Sequence, residues 1–541
     1  MTSHTAASHR EGFVPFRDDI AASYRAADLW RGTTLGAILS DAATRWPTRT
    51  AVLTDGDPIS YADLDVAADR LAAGLIALGI EPGDRVVMQL PNRPEFVTTL
   101  FGLLRAGAIP VMCLPAHRSA EIGHLAELSG AVGYVIADTA AGFDYRELAR
   151  TVQHRVPSMR HVLVAGDPGP YLSLSDVARD RVALPDIDPT DIALLLVSGG
   201  TTGVPKLIPR THDDYAYNAR ASAELCRLDS ADVYLATLPA AHNFPLACPG
   251  ILGTLGMGGA VCLIEDPSPE SSFATIERNK VTITAVVPPL AQLWCAAVEW
   301  EDANIESLRL LQVGGAKLAE SNARAVTPAL NAQLQQVFGM AEGLLNYTRL
   351  NDSDELICTT QGRPLSDADE VRVVDGEGND VPDGVEGELL TRGPYTIRGY
   401  YRAEEHNARA ITADGFYRSG DLVRRLASGH LMVTGRIKDV INRGGENVSC
   451  DELEEHLLAH PAIRHAAAVG LPDDSLGEKV CAAVVLDALV DSPTLAEIKA
   501  FLTDRGLAAF KLPDSLHRAT QLPVTAVGKI DKRALAEQIA H

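Results

Sequence analysis

Apolar positions in the first third of the chain keep two alternating rhythms. Leu35, Ile38, Leu39 and Ala42 share one side of a 3.6-residue period, predicting a helix over 34–46, and the same spacing predicts another over 61–78. A strand-length run at 85–90 precedes a helix at 95–105 and a second run at 108–114. Strand, helix and strand at this spacing require a crossover, and so a parallel sheet. The pattern recurs with strands predicted at 132–136, 161–164, 192–197, 232–238, 261–264, 283–287 and 308–313. From residue 370 the runs shorten and turn residues separate them, predicting a small β-rich subdomain. Beyond Gly435 the texture becomes α+β and rich in Lys and Arg. Residues 1–30 alternate polar and aromatic positions and are expected to lie as an arm on the main domain.

With 541 residues, two or more cores are required. A net charge of −23 argues against general nucleic-acid or anionic-membrane binding, so any anionic ligand must be held by local positive charge. Eight scattered cysteines contain no C-x-x-C pair, which points away from zinc and from a disulfide framework. The N-terminus lacks the apolar segment of a signal peptide, and no run reaches the ~18 apolar residues of a membrane span. A cytoplasmic enzyme without a membrane or nucleic-acid partner is the expectation.

The candidate chemistry begins after the run 192–197, which is apolar throughout, as for a strand buried on both faces. Ser198, Gly199, Gly200, Thr201, Thr202 and Gly203 follow, then Lys206. Glycines let backbone N–H groups turn toward an anion, the hydroxyls add donors and the lysine adds charge, which makes a phosphate cradle. It is not the Walker pattern, because Lys206 follows Pro205 and precedes Leu207. Downstream, Phe338 offers an aromatic face for a purine, Gly339 allows close approach, and Glu342 offers a carboxylate for Mg²⁺. An ionised Asp421, in Tyr417-Arg418-Ser419-Gly420-Asp421, can accept from both hydroxyls of a ribose. Gly435-Arg436-Ile437-Lys438-Asp439, Arg443-Gly444-Gly445-Glu446 and, near the C-terminus, Gly528-Lys529 complete the set.

These motifs, in this order over about residues 30–535, resemble the adenylate-forming superfamily of acyl- and aryl-CoA ligases, adenylation domains and luciferases. The resemblance implies an α/β fold: a large N-terminal domain of stacked parallel or mixed sheets with helices and a β-rich subdomain, and a small mobile α+β C-terminal domain. It implies a core at 1–434, a hinge at 435–438 and a mobile domain at 439–541. ATP and Mg²⁺ are the implied partners of the phosphate loop with Lys206, of Gly315, Val337, Phe338 and Gly339, of Glu342 as metal ligand, and of Asp421 and Arg436. Lys438 is implied at the hinge, and Lys529 as the catalytic lysine that stabilises charge while a carboxylate attacks the α-phosphate.

His242-Asn243-Phe244-Pro245 is similar to one subgroup, the aryl acid–AMP ligases that begin siderophore biosynthesis. That similarity places the acid pocket on His242, Asn243, Phe244, Cys248, Ala285, Gln312, Gly314, Val337, Ala341 and Leu345. Asn243 stands where amino-acid-activating domains keep an Asp, so an α-ammonium would lack its anionic partner. In the family, ligases for 2,3-dihydroxybenzoate have Tyr and Ser at the positions of Phe244 and Cys248, so salicylate is favoured. A 2,3-dihydroxybenzoate ligase and a free-standing aryl-CoA ligase remain as alternatives. The chain ends soon after Lys529, so the acceptor is expected in trans, as the phosphopantetheine thiol of a separate aryl carrier protein. Arg443, Lys479, Lys511, Lys532 and Arg533 are expected to form its basic docking face.

Overall fold

A computed structural model describes residues 11–198, 205–443, 446–473, 476–487, 492–505, 507, 509–525 and 528–540. The phosphate-loop residues Gly199 to Gly203, together with Gly444 and Gly445, lie outside the described residues.

Two large sheets share one core. The first has seven strands in the order Leu207–Thr211, Ile192–Val197, Ile109–Met112, Arg85–Gln89, Gly133–Ala137, His161–Ala165 and Leu172–Ser173, parallel except at the Leu207–Thr211 edge. The second has nine, with six parallel strands at its centre, from Gln333–Met340 through Leu310–Gly314, Ile283–Val286, Val233–Ala236 and Ala260–Leu263 to Thr50–Leu53. Helices 61–77, 94–105 and 212–225 fill the space between the sheets, and further helices cover both outer faces. Alternation along the strand Ile192–Val197 shows why its sequence is apolar throughout. Leu194 and Leu196 enter the central core and Leu195 the outer one, and Ile192, across the register shift at Ile192/Leu194, enters the outer one too.

The four antiparallel strands Glu370–Val374, Glu386–Arg392, Tyr417–Arg425 and Leu431–Arg436 form the expected β-rich subdomain. Beyond Arg436, a five-stranded sheet with the helices Cys450–Leu458, Leu495–Asp504 and Lys532–Ala540 builds a core of its own around Leu453, Leu457, Val484 and Ile498. This smaller unit touches the larger one through Lys317 and Glu455, 2.7 Å apart.

The described part of the N-terminal segment lies on the main domain as an arm. The Arg402 amide donates to the Gly12 carbonyl (2.8 Å), the buried Trp30 indole to the Pro394 carbonyl (2.9 Å), and Arg25 pairs with Asp213 (2.5 Å).

Local structure departs from the sequence reading in two places. After the phosphate loop the chain returns as an antiparallel strand, because Leu207 and Ile208 bury opposite faces and pair with Leu196 and Val197. The strand predicted at 232–238 leaves the sheet after Ala236, and His242 then caps a short helix, Asn243–Ala247. The His242 imidazole competes for the Phe244 amide, which favours a cap over a strand position.

Candidate active site

Ser198 and Lys206 close the neck of the phosphate loop. The Ser198 amide donates to the Lys206 carbonyl and the Lys206 amide to Ser198 Oγ, both at 2.9 Å. The Lys206 ammonium then lies 5.9 Å from the centre of the Tyr400 ring. Tyr400 leads to Glu342, its hydroxyl donating to Glu342 Oε1 at 2.7 Å. Its only proton is thereby used, so Tyr417, 2.9 Å away, is the donor between the two phenols. Glu342 occupies the tight turn between the paired strands Gln333–Met340 and Gly343–Tyr347. Gly343 has φ +127°, and a Cβ there would meet Thr396 Cα at 2.4 Å, so no other residue fits beside the carboxylate. Burial raises the Glu342 pKa, a penalty that a cation would relieve.

Asp421 and Arg436 are direct cross-strand partners, and Arg436 Nε donates to Asp421 Oδ1 at 2.7 Å. The aspartate raises the Arg436 pKa, so the guanidinium is fully charged.

Lys529 comes from the C-terminal unit, on a hairpin closed by Val524 and Ile530 and by the Thr525 amide donating to the Lys529 carbonyl (2.6 Å). Gly528 abuts Val287, and Lys529 Cε lies 3.3 Å from where a Cβ on Gly315 would sit. The ammonium thus reaches the end of the strand Leu310–Gly314, within electrostatic range of Arg436, Asp421, Glu342 and His242. Burial, with repulsion from Arg436, lowers its pKa to about 8. Burial likewise holds His242 neutral, with a pKa of about 3; its Nδ1 accepts from the Phe244 amide, leaving Nε2–H as donor.

Phe244 presses on Gly314, one residue from the contact with Lys529; a Cβ on Gly314 would come within 3.0 Å of its ring. Asn243 Oδ1 accepts from the Tyr215 hydroxyl (2.8 Å), and its Nδ2 faces Cys248 Sγ (3.5 Å). The Cys248 thiol donates to the Asn243 carbonyl at 3.4 Å. Val337 and Leu345 are buried in the same core as Phe244, as is Ala285, the register neighbour of Gln312. Gln312 is fully buried and turned away, its Nε2 donating to Gln335 Oε1 at 3.0 Å, so it forms floor more than wall. The Ala341 carbonyl accepts from Arg210 Nη1 at 3.0 Å. Phe338 is partly buried against the β-rich subdomain, and Lys438 falls in the short turn Ile437–Asp439 between the two units.

Three contributors escaped the sequence reading: Arg210, Tyr215 and Tyr400. Arg210 and Asp214 had a signal, being four apart across a Thr211 helix cap; the tyrosines had none, because their partners lie 28 and 58 residues away.

No three His, Cys, Asp or Glu converge as a metal site among the described residues. A metal here would have the Glu342 carboxylate as its one candidate protein ligand among the described residues and would need further oxygens from a bound phosphate, which is how Mg²⁺ is commonly held. Among the described residues no helix is long and apolar enough to cross a membrane.

Residues 39–401 match the AMP-binding enzyme model, and 452–529 match the AMP-binding enzyme C-terminal domain. The chain is 59% identical to a salicyl-AMP ligase / salicyl-S-ArCP synthetase of Mycobacterium tuberculosis, over 98% of this chain and 94% of that one. It is 52% identical to a 2,3-dihydroxybenzoate-AMP ligase of Bacillus subtilis, over 98% of each. Among solved structures it is similar to Mycobacterium smegmatis MbtA in its apo form (TM-score 0.76, 57% identity, covering 97% of this chain and 99% of that one). It is also similar to the anthranilate CoA ligase AuaEII with anthranoyl-AMP (TM-score 0.85, 26% identity, 95% and 99%).

Proposed function

The chain belongs to the AMP-binding enzymes, as an aryl acid–AMP ligase of the siderophore type, and on that premise we propose that its acid is salicylate and its acceptor the thiol of a separate aryl carrier protein. In the first step a carboxylate oxygen attacks the α-phosphorus of ATP, forming the acyl–phosphate bond as the bond to pyrophosphate breaks. In the second, the thiol sulfur attacks the acyl carbon, AMP leaves and the thiol proton is lost to solvent.

Position supports the proposed roles. Lys529, delivered to Gly315, stabilises the charge that develops between carboxylate and α-phosphate. ATP brings negative charge that raises the depressed lysine pKa and keeps the ammonium protonated. Ser198, Lys206 and the loop between them hold the phosphates, and Asp421 takes the ribose hydroxyls once Arg436 turns from it to the nucleotide. Phe338, Gly339 and Val337 border the purine. Glu342 would hold Mg²⁺, which when bound would neutralise phosphate charge. Asn243 and the neutral His242 donate on the acid side. Residues 435–438 serve as the hinge between a core at 1–434 and a mobile domain at 439–541.

A cleft of about 1120 Å³ between the two units is lined by Leu238, Val287, His465, Leu522 and Gly528. Because Leu522 and Gly528, from the segment bearing Lys529, form one wall, this cleft belongs to the arrangement proposed for adenylation and is reshaped when the domain swings for thiol transfer. The free cysteines, none of them disulfide-bonded, suit the reducing cytoplasm.

One observation carries the choice of salicylate. Phe244 has no hydroxyl, and the Cys248 thiol already donates to the Asn243 carbonyl, so neither serves a 3-hydroxyl on the ring. Burying that hydroxyl unpaired costs about 1–3 kcal/mol. Pyrophosphate exchange with each acid tests this: salicylate should lead by roughly 10- to 100-fold in kcat/KM. Faster turnover of 2,3-dihydroxybenzoate would reject it. Transfer of salicylate to a loaded carrier against coenzyme A, each at equal concentration, tests the acceptor.

A further inference from the structure

Tyr215 is fully buried and takes no direct part in the chemistry described above, yet two contacts lock it, one with Arg210 and one with Asn243. Its helix, His212–Leu225, starts with a reciprocal cap: the Thr211 amide donates to Asp214 Oδ2 (2.7 Å) and the Asp214 amide to Thr211 Oγ1 (3.2 Å). The other oxygen of Asp214 accepts from Arg210 Nε at 2.7 Å. Arg210, itself fully buried, then lies over the Tyr215 ring, with Cζ 4.6 Å from its centre, and its Nη2 has no hydrogen-bond partner. The ring face is what that edge of the guanidinium has in place of an acceptor. Tyr215 is therefore clamped, and its single hydroxyl proton goes to Asn243 Oδ1.

This fixes the Asn243 amide. With Oδ1 held against the Tyr215 hydroxyl, the other edge of the amide is Nδ2, which carries two N–H groups: one faces Cys248 Sγ and the second is left for the acid. An ortho-hydroxyl on a benzoate turns its own proton to the neighbouring carboxylate and presents lone pairs outward, so it accepts from that N–H. An ortho-amine delocalises its lone pair into the ring and presents N–H outward, so donor meets donor in a buried site.

We propose that Tyr215, held by Arg210, is a positioning residue that makes the pocket select an ortho-oxygen over an ortho-nitrogen. The inference rests on the proposed function, in which Asn243 faces the acid. Without the Tyr215 hydroxyl the amide is free to turn over and accept, so the discrimination relaxes.

The test is pyrophosphate exchange with salicylate, anthranilate and benzoate, for the wild-type enzyme and for Tyr215→Phe, Asn243→Ala and the double variant. Wild type should favour salicylate over anthranilate by at least about 100-fold, since a site built around one hydrogen-bond pattern rejects the wrong one strongly. Tyr215→Phe should cut that ratio at least tenfold, with the KM for ATP unchanged. In the Asn243→Ala background the same substitution should leave the ratio where it is, because no amide remains to orient. Should Tyr215→Phe fail to accumulate, Arg210→Lys, which keeps the charge but loses the flat stacking face, must lower the ratio in the same direction. If Tyr215→Phe slows all three acids equally, the residue is structural and the inference fails while the ligase assignment stands. If Asn243→Ala leaves the salicylate-to-benzoate ratio unchanged, Asn243 does not face the ortho group, and the pocket reading falls together with the inference.

Discussion

In its proposed role Lys529 must carry a proton to stabilise the transition state, yet its surroundings lower its pKa to about 8. Its cationic form is complete well below that pH and is lost as pH rises through it. The kcat/KM for pyrophosphate exchange, which reports the free enzyme, should fall above a pKa near 8, while kcat should hold to higher pH because bound ATP favours the ammonium. Lys529→Ala should reduce exchange by on the order of 10²- to 10³-fold, the scale of one lost electrostatic donor. It should spare thiol transfer from preformed aryl-AMP; equal loss in both steps would refute the assignment to adenylation. At the pocket, Phe244→Tyr with Cys248→Ser should narrow or invert the preference for salicylate over 2,3-dihydroxybenzoate, measured by exchange with both acids. These residues were legible from sequence because each sits in a motif whose members are adjacent in the chain. Arg210, Tyr215 and Tyr400 were not, because an arginine or a tyrosine gains its role here only from a side chain brought to it by folding.

Among the elements, the central strands and helices were legible because one apolar period runs through each. The Leu207–Thr211 return strand and the Asn243–Ala247 helix are too short for a period to declare itself, and tertiary pairing and a cap decide them. The hairpin bearing Lys529 is the element on which the proposed adenylation step depends, and the glycine it meets offers a test. Gly315 has φ +85°, and a methyl there would approach both Lys529 Cε (3.3 Å) and Val287 (3.4 Å). Gly315→Ala should cost about 1 kcal/mol or more in stability from backbone strain alone, read by denaturant midpoint. It should slow exchange more than thiol transfer, because it pushes on the hairpin that only the first step uses. The Lys317–Glu455 pair that joins the unit carrying that hairpin to the core is partly exposed and worth at most about 1 kcal/mol, so it does not by itself fix the unit in place. Lys438→Pro, which fixes φ at the proposed hinge, should therefore impair one half-reaction and spare the other.

For the whole molecule, charge sets the terms of meeting a partner. Of the five cations expected to form a basic docking face, four are engaged internally: Arg443 with Asp514 (2.5 Å), Lys511 with Glu452 (2.6 Å), Lys532 with Glu454 (2.8 Å) and Arg533 with Glu537 (3.0 Å). They offer much less free charge than their sequence positions imply, and the net −23 is left largely unopposed. For an acidic carrier, raising ionic strength from about 0.01 M to about 0.15 M shortens the screening length from about 30 to about 8 Å, and the carrier KM should fall. A KM that rises with salt would instead reveal an attractive face. The N-terminal arm bears on a different matter, the order in which the protein comes into being. Trp30 and Gly12 leave the ribosome first, but their partners Pro394 and Arg402 are among the later parts of the main domain to be made. At about 5–20 residues per second the arm waits roughly 20–70 s with Trp30 uncovered. Nascent chains arrested before Pro394 should be cut readily within the arm by added protease, and chains released at full length should resist.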